Sequence, residues 1–305
     1  MKLAAAQYPV EAHPTWDAYA LKVTRWVEEA AAAGAQVLVF PEYASMELTS
    51  LLPPHVQADV TLQLPALQPY LQPFLSLHQE LAYRFGVYIL AASYPAEDEG
   101  RFVNRAYFIA PDGRTDHQDK LVMTRFEHEK WGVAPGMGLK VFETPYGNVG
   151  VNICYDSEFP HLARALAEAG ADVLLVPSCT EAITGYHRVQ VGSRARALEN
   201  QMYAVQAPLI GTAPWNEAID VNTGAAGVYG PIDHGFSPEG DGVVTRGPLN
   251  VAAWVHVELD LARLRQVREE GHTFNARDWP HGERQAAGGA TRVSFVPQMK
   301  PELQV

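Results

Sequence analysis

The chain has 305 residues, a formal net charge of −12, 47% hydrophobic residues and 19% charged ones. That length allows one large domain or two smaller ones with a substantial core, and the negative charge argues against nucleic acid or an anionic membrane surface as partner. No uncharged apolar stretch reaches the roughly 18 residues of a membrane span. The N-terminal apolar run breaks at Gln7 and is too short for a signal-peptide core. Two cysteines, Cys154 and Cys179, close separate strand-like runs, so a reduced, cytoplasmic protein is expected.

In chain order, residues 3–8 read as a first buried strand. Thr15 caps an amphipathic helix running to about Ala33, with Gly34 as its stop. Residues 37–40 form an apolar strand that Pro41-Glu42-Tyr43 ends. The proline-rich stretch 51–64 reads as loop, 65–85 as a second long helix closed by Gly86, and 87–94 and 102–109 as strands, the latter ending in the turn Pro111-Asp112-Gly113. From Asp116 to Gly138 periodicity fails, and an irregular stretch of that length inside a compact domain is usually functional.

Residues 142–149 suggest a hairpin turning at Tyr146-Gly147, whose second arm delivers Cys154. Helices at about 161–169 and 187–201 alternate with strands at 173–176 and 202–207, so the second half echoes the first. Glycine and proline fill 224–247. A strand at 251–259 and a helix at 260–269 complete an α/β layered pattern. The unit expected to fold is 1–270. The aperiodic tail 271–305 is expected to be an extension or arm, packed on a partner subunit or partly mobile.

Three features carry the possible chemistry: Glu42, the segment from Lys120 to Glu129, and Cys154. Glu42 alone would pass as a capping or surface carboxylate, and Cys154 alone as a small buried hydrophobe. Together they match what acyl transfer through a thiol requires. A base (Glu42) must take the thiol proton, and a cation (Lys120) with a backbone donor (the Tyr155 amide) must meet the oxyanion. The surroundings of Cys154 fit no cysteine-protease pattern. His117, His128 and Glu129 match no standard zinc spacing, and no glycine-rich phosphate loop is present, so neither metal nor cofactor is expected.

Phe40-Pro41-Glu42, Asp119-Lys120 and the run 151–160 around Cys154 resemble the three signatures of the nitrilase superfamily, the carbon–nitrogen hydrolases. Asn104 before Ala106, Pro111-Asp112-Gly113, Pro135-Gly136, Pro177-Ser178 and the helix 194–200 fit in the same order. The resemblance implies a four-layer αββα sandwich of two mixed β-sheets. It implies a thioester or thioimidate on Cys154, Glu42 as general base and acid, and Lys120 as stabiliser of the tetrahedral intermediate. It further implies a second glutamate in the loop after the lysine: Glu127 and Glu129 both qualify, and Glu129, ahead of Trp131 and Pro135-Gly136, fits the family spacing better. Leu121-Val122-Met123 departs from the family's usual lysine–x–histidine–leucine pattern.

Tyr155-Asp156 after the cysteine is more like the amidase and carbamoylase branches than the tryptophan–glutamate of nitrilases, with Asp156 expected to hold the turn through backbone hydrogen bonds. The expected reaction is hydrolysis of a small carboxamide or N-carbamoyl compound. A nitrilase and a catalytically silent module of the same fold are the alternatives. Tyr43, Tyr155, Cys179 and Trp131 are the expected substrate contacts, with Thr180 and Trp215 as further candidate walls. A homodimer or larger homo-oligomer is expected.

Overall fold

The computed structural model describes residues 1–233 and 235–295. Among them the first half runs β1 (Lys2–Pro9), α1 (Trp16–Ala32), β2 (Val37–Val39), α2 (Pro54–Gln57), α3 (Val60–Phe85), β3 (Tyr88–Leu90), β4 (Tyr94–Asp98), β5 (Arg101–Ile109), β6 (Thr115–Asp119) and β7 (Val133–Ala134). The second half runs β8 (Val141–Thr144), β9 (Gly147–Val151), α4 (Pro160–Glu168), β10 (Val173–Ser178), α5 (Ile183–Asn200) and β11 (Tyr203–Thr212). Short strands β12 (Val221–Asn222), β13 (Gly227–Tyr229) and β14 (Val243–Arg246) follow, then β15 (Ala253–Glu258), α6 (Leu261–Glu270) and α7 (Asn275–Ala286).

The strands form one curled mixed sheet with the main path β4-β5-β3-β2-β1-β11-β10-β9-β8. The curl happens at β1. Over Lys2 to Gln7 it pairs antiparallel with β15, but its last residues, Tyr8 and Pro9, pair parallel with Leu209 and Ile210 of β11. The period-2 alternation of strand side chains then sorts two cores. Leu3, Ala5, Val37 and Val39 cluster with Val149, Val151, Val173 and Leu175 of the other half of the sheet. Ala4, Ala6, Leu38 and Phe40 cluster instead with Val23 and Val27 of α1 and Leu64, Leu67 and Phe74 of α3. On the far side Ala163 and Leu166 of α4 and Val189 and Ala197 of α5 join the first cluster.

Besides α2, β6 and the helical turn Glu127–Trp131, which fall in stretches read as loop or irregular, the structure departs from the sequence reading in three places. Helix α3 begins at Val60, inside the stretch expected to be loop, because Asp59 caps it by accepting from the amides of Thr61 and Leu62. Its prolines, Pro65, Pro69 and Pro73, repeat every four residues on one exposed face, where water can satisfy the carbonyls they leave unpaired. The strand expected at 87–94 is broken between β3 and β4. There Ser93 turns to serve the chain after Glu42, its hydroxyl accepting from the Tyr43 amide at 3.0 Å and its carbonyl accepting from the Ser45 hydroxyl. The tail, expected to be aperiodic, carries helix α7. Arg164 reaches it from α4, with its guanidinium 5.2 Å from the Trp279 ring and an N–H donated to the Ala276 carbonyl. Residues 296–305 of the expected arm lie outside the described residues.

Candidate active site

The site collects residues from the ends of β2, β6, β9 and β10. Glu42 lies three residues past β2, in a turn where Tyr43 takes the left-handed conformation (φ 57°). Lys120 directly follows β6, and its amide donates to the Asn104 carbonyl of β5 at 2.9 Å. Pro135-Gly136 then brings the loop back over it. The Gly136 amide donates to the Lys120 carbonyl at 2.8 Å, and a Cβ on Gly136 would lie 2.2 Å from Asp119 Cβ, so only glycine permits that approach.

Cys154 follows β9 and is itself left-handed, with φ of 50°. A non-glycine residue held there carries strain of about 1 kcal/mol or more, which persists where the surroundings over-determine it. Here they do. The Ser157 hydroxyl donates to the Cys154 carbonyl at 2.6 Å, and α5 packs tightly behind, with Gly192 at the point of closest approach to the Ser157 carbonyl. Asp156 ties the turn to the lysine loop, its carboxylate accepting from the amides of Leu121, Val122 and Ile153. Burial pushes the Asp156 carboxyl up to about 7, against the pull of Lys120 and these amides.

At the centre sits one buried ammonium between two buried carboxylates. Lys120 Nζ is 2.8 Å from Glu42 Oε1 and 2.6 Å from Glu127 Oε2. Glu127 also accepts from the Tyr43 hydroxyl (2.8 Å) and from the amide and hydroxyl of Thr124. Glu42 Oε2 accepts from the Cys179 amide at 2.9 Å. The Cys154 thiol donates to the Cys179 carbonyl, Sγ to O 3.7 Å, and is within hydrogen-bonding reach of Glu42.

Burial raises the Glu42 carboxyl; Lys120 pulls it down and Glu127 pushes it up, for a net rise. For Glu127 burial also pushes upward, but Lys120 and Thr124 outweigh it and the carboxyl is held below its ordinary range. Burial alone would neutralise Lys120, yet the two carboxylates keep it an ammonium. Burial and Glu42 together push the Cys154 thiol up, so the resting group is S–H rather than thiolate.

The cavity above this cluster has a volume of about 480 Å³ and is lined by Glu42, Lys120, Glu127 and Cys154. The four expected contact residues, Tyr43, Trp131, Tyr155 and Cys179, also line it, as does Thr180. Trp215 does not; its indole donates to the Thr49 hydroxyl. Charged residues that sequence reasoning did not single out ring the mouth in pairs, Lys130 with Glu217 and Arg188 with Glu158. No sequence signal marked them, because their elements meet only in the fold.

The expectation for Glu129 is overturned. It is exposed and paired with Arg125, while Glu127 occupies the buried position against Lys120. The two lie in one helical turn, Glu127–Trp131, where residues two apart point to opposite sides. Asn104, which entered only as a family match, is part of the cluster: its Nδ2 lies 2.9 Å from Glu42 Oε1 and 3.2 Å from Glu127 Oε1. Among the described residues no group of three or more His, Cys, Asp or Glu side chains is placed to hold a metal, and no helix is long and apolar enough to cross a membrane.

A thiol, two carboxylates and an ammonium thus converge at the strand ends of a curled mixed α/β sheet. Residues 2–269 match the carbon–nitrogen hydrolase family, and the chain belongs to it. It is 34% identical over 278 residues to the probable hydrolase YhcX of Bacillus subtilis, covering 91% of this chain and 53% of that protein, so the chain spans about half of that relative's length. It is 29% identical to omega-amidase NIT2-B of Xenopus laevis, over 82% of this chain and 85% of that one. In fold it is similar to the carbon–nitrogen hydrolase from Helicobacter pylori G27, with a TM-score of 0.73 at 17% identity, over 95% of this chain and 96% of that one.

Proposed function

We propose that this protein hydrolyses the carbon–nitrogen bond of a small carboxamide or N-carbamoyl compound through a thioester on Cys154. The observation that carries the reading is the hydrogen-bond count at Lys120. An ammonium has three protons, and Glu42 and Glu127 accept two of them. The third is free to meet an oxyanion formed beside Cys154.

As Cys154 Sγ bonds to the carbonyl carbon, its proton passes to Glu42. The carbonyl oxygen becomes an oxyanion facing Lys120 and the Tyr155 amide. Glu42 then gives the proton to the leaving nitrogen, ammonia or an amine departs, and a thioester remains. Water attacks the thioester carbon, Glu42 takes the water's proton, and collapse returns it to sulfur with release of the acid. Glu127 keeps Lys120 charged and aimed. Tyr43, Trp131, Tyr155 and Cys179 would contact the substrate, whose small size fits the cavity of about 480 Å³.

Tyr155-Asp156 after the nucleophile and the amidase named among the relatives favour amides over nitriles. The same reading takes 1–270 as the hydrolase unit with 271–305 as its extension, and the curled sheet with its flanking helices as a four-layer αββα sandwich. It takes the protein as a cytoplasmic homo-oligomer that needs no cofactor; its two free cysteines fit a reducing compartment. The test is ammonia release from a panel of small amides, carbamoyl amino acids and nitriles. Turnover of amides or carbamoyl compounds, lost in Cys154→Ala, is expected. Faster consumption of nitriles, or turnover that survives the substitution, would overturn the reading.

A further inference from the structure

We propose that Asn104 is a positioning residue for this reaction: its side-chain amide bridges Glu42 and Glu127 and holds Glu42 as the acceptor of the Cys154 proton. The inference rests on the reading of Glu42 as base. Asn104 lies on β5, is fully buried, and lines none of the cavity, so it acts through the glutamates and not on substrate. One nitrogen serves both carboxylates, with one proton for each. Its own carbonyl accepts the Lys120 amide, so a single residue fixes all three charged groups.

The orientation is settled by the neighbours. Turning the amide over would aim Oδ1 at two carboxylates. As it stands, Oδ1 is buried without a partner, an uncompensated desolvation that a purely structural site would not need. The residue type also has a reason. Glu42 faces Lys120, Glu127, the Cys154 thiol and the Cys179 amide, and burial with Glu127 favours its protonated form. A second ammonium would be a costly buried charge, and a third carboxylate would add repulsion. A neutral amide donates to both glutamates and cannot itself take up their protons.

The test is the pH dependence of Cys154 alkylation by iodoacetamide in wild type, Asn104→Ala and Asn104→Asp, with kcat/KM profiles on whichever amide wild type turns over. Alkylation needs no substrate, so it separates this inference from the amide reading. In both variants the acid limb should move to higher pH, with about a tenfold loss on its acid side. The near-isosteric Asp keeps the volume should the Ala variant fail to fold, and it should move the limb further. A limb that stays in place, with rates lowered equally at every pH, would reduce Asn104 to packing and overturn the proposal. A moved limb with no amide turned over would leave Asn104 standing and remove the substrate reading.

Discussion

Two lysine–carboxylate clusters are built on buried glutamates five residues apart in the chain, Glu42 and Glu47. In one, Lys120 stands between Glu42 and Glu127. In the other, Lys22 Nζ is 2.5 Å from Glu47 Oε1, and Glu47 also accepts from the Glu11 amide and the Tyr8 hydroxyl, with His13 Nε2 at 3.3 Å. Both glutamates are almost wholly removed from solvent. Burial and an ion pair therefore do not distinguish a catalytic carboxylate from a structural one.

The surroundings do. The Glu47 cluster opens onto none of the cavity above Cys154, and its oxygens are occupied by the end of β1 and by α1, fastening the segment Ala44–Leu51 in place. The Glu42 cluster faces a cavity, touches a thiol in a strained turn, and leaves a proton of its ammonium uncommitted. Polar saturation marks the first as a fastening, and incomplete saturation beside a buried thiol marks the second as a candidate site.

Exchanging each lysine for methionine tests that contrast most sharply. Lys120→Met should lower kcat about a thousandfold or more, the scale of losing an oxyanion donor together with its effect on the base. Lys22→Met should leave the rate per folded molecule within about threefold. It should lower unfolding stability by about 3–5 kcal/mol, because a buried carboxylate loses its partner; urea titration reads this directly.

The next comparison is within the loop. Glu127→Gln should cost about a hundredfold in kcat, and Glu129→Gln should be neutral, since Glu129 meets only Arg125 at the surface. Glu127 also predicts a pH effect on stability. Its folded carboxyl is held below the ordinary value, so it contributes stability above the unfolded value near 4.5 that is lost as pH falls through the folded one. The stability gap between wild type and Glu127→Gln should therefore be full near neutral pH and close in acid. The smallest effect is expected at the tail. Trp279→Ala should cost about 1 kcal/mol through its contact with Arg164, seen as a shift of a few degrees in Tm, with kcat unchanged.

Much of this was legible in the sequence where local chemistry decides. The Thr15 cap, the Gly34 and Gly86 stops and the strand before Cys154 all follow from residue type and period. What was not legible depends on direction or on partners far along the chain. Glu127 and Glu129 are chemically identical, and only the helical turn at Glu127–Trp131 decides which faces Lys120. The start of α3 was hidden because the stretch 51–64, with Pro53 and Pro54, reads as loop, and its Asp59 cap was not singled out. The rim pairs join residues 87 and 30 positions apart, and no local pattern announces them.

The most direct test of the account is intact-protein mass spectrometry of enzyme quenched during turnover of an amide found in the panel. A covalent species heavier than the protein by the substrate's mass less ammonia, mapping to the Cys154 peptide and absent from Cys154→Ser, is the predicted result. Continued amide hydrolysis by Cys154→Ser, with no adduct on the wild-type peptide, would contradict it.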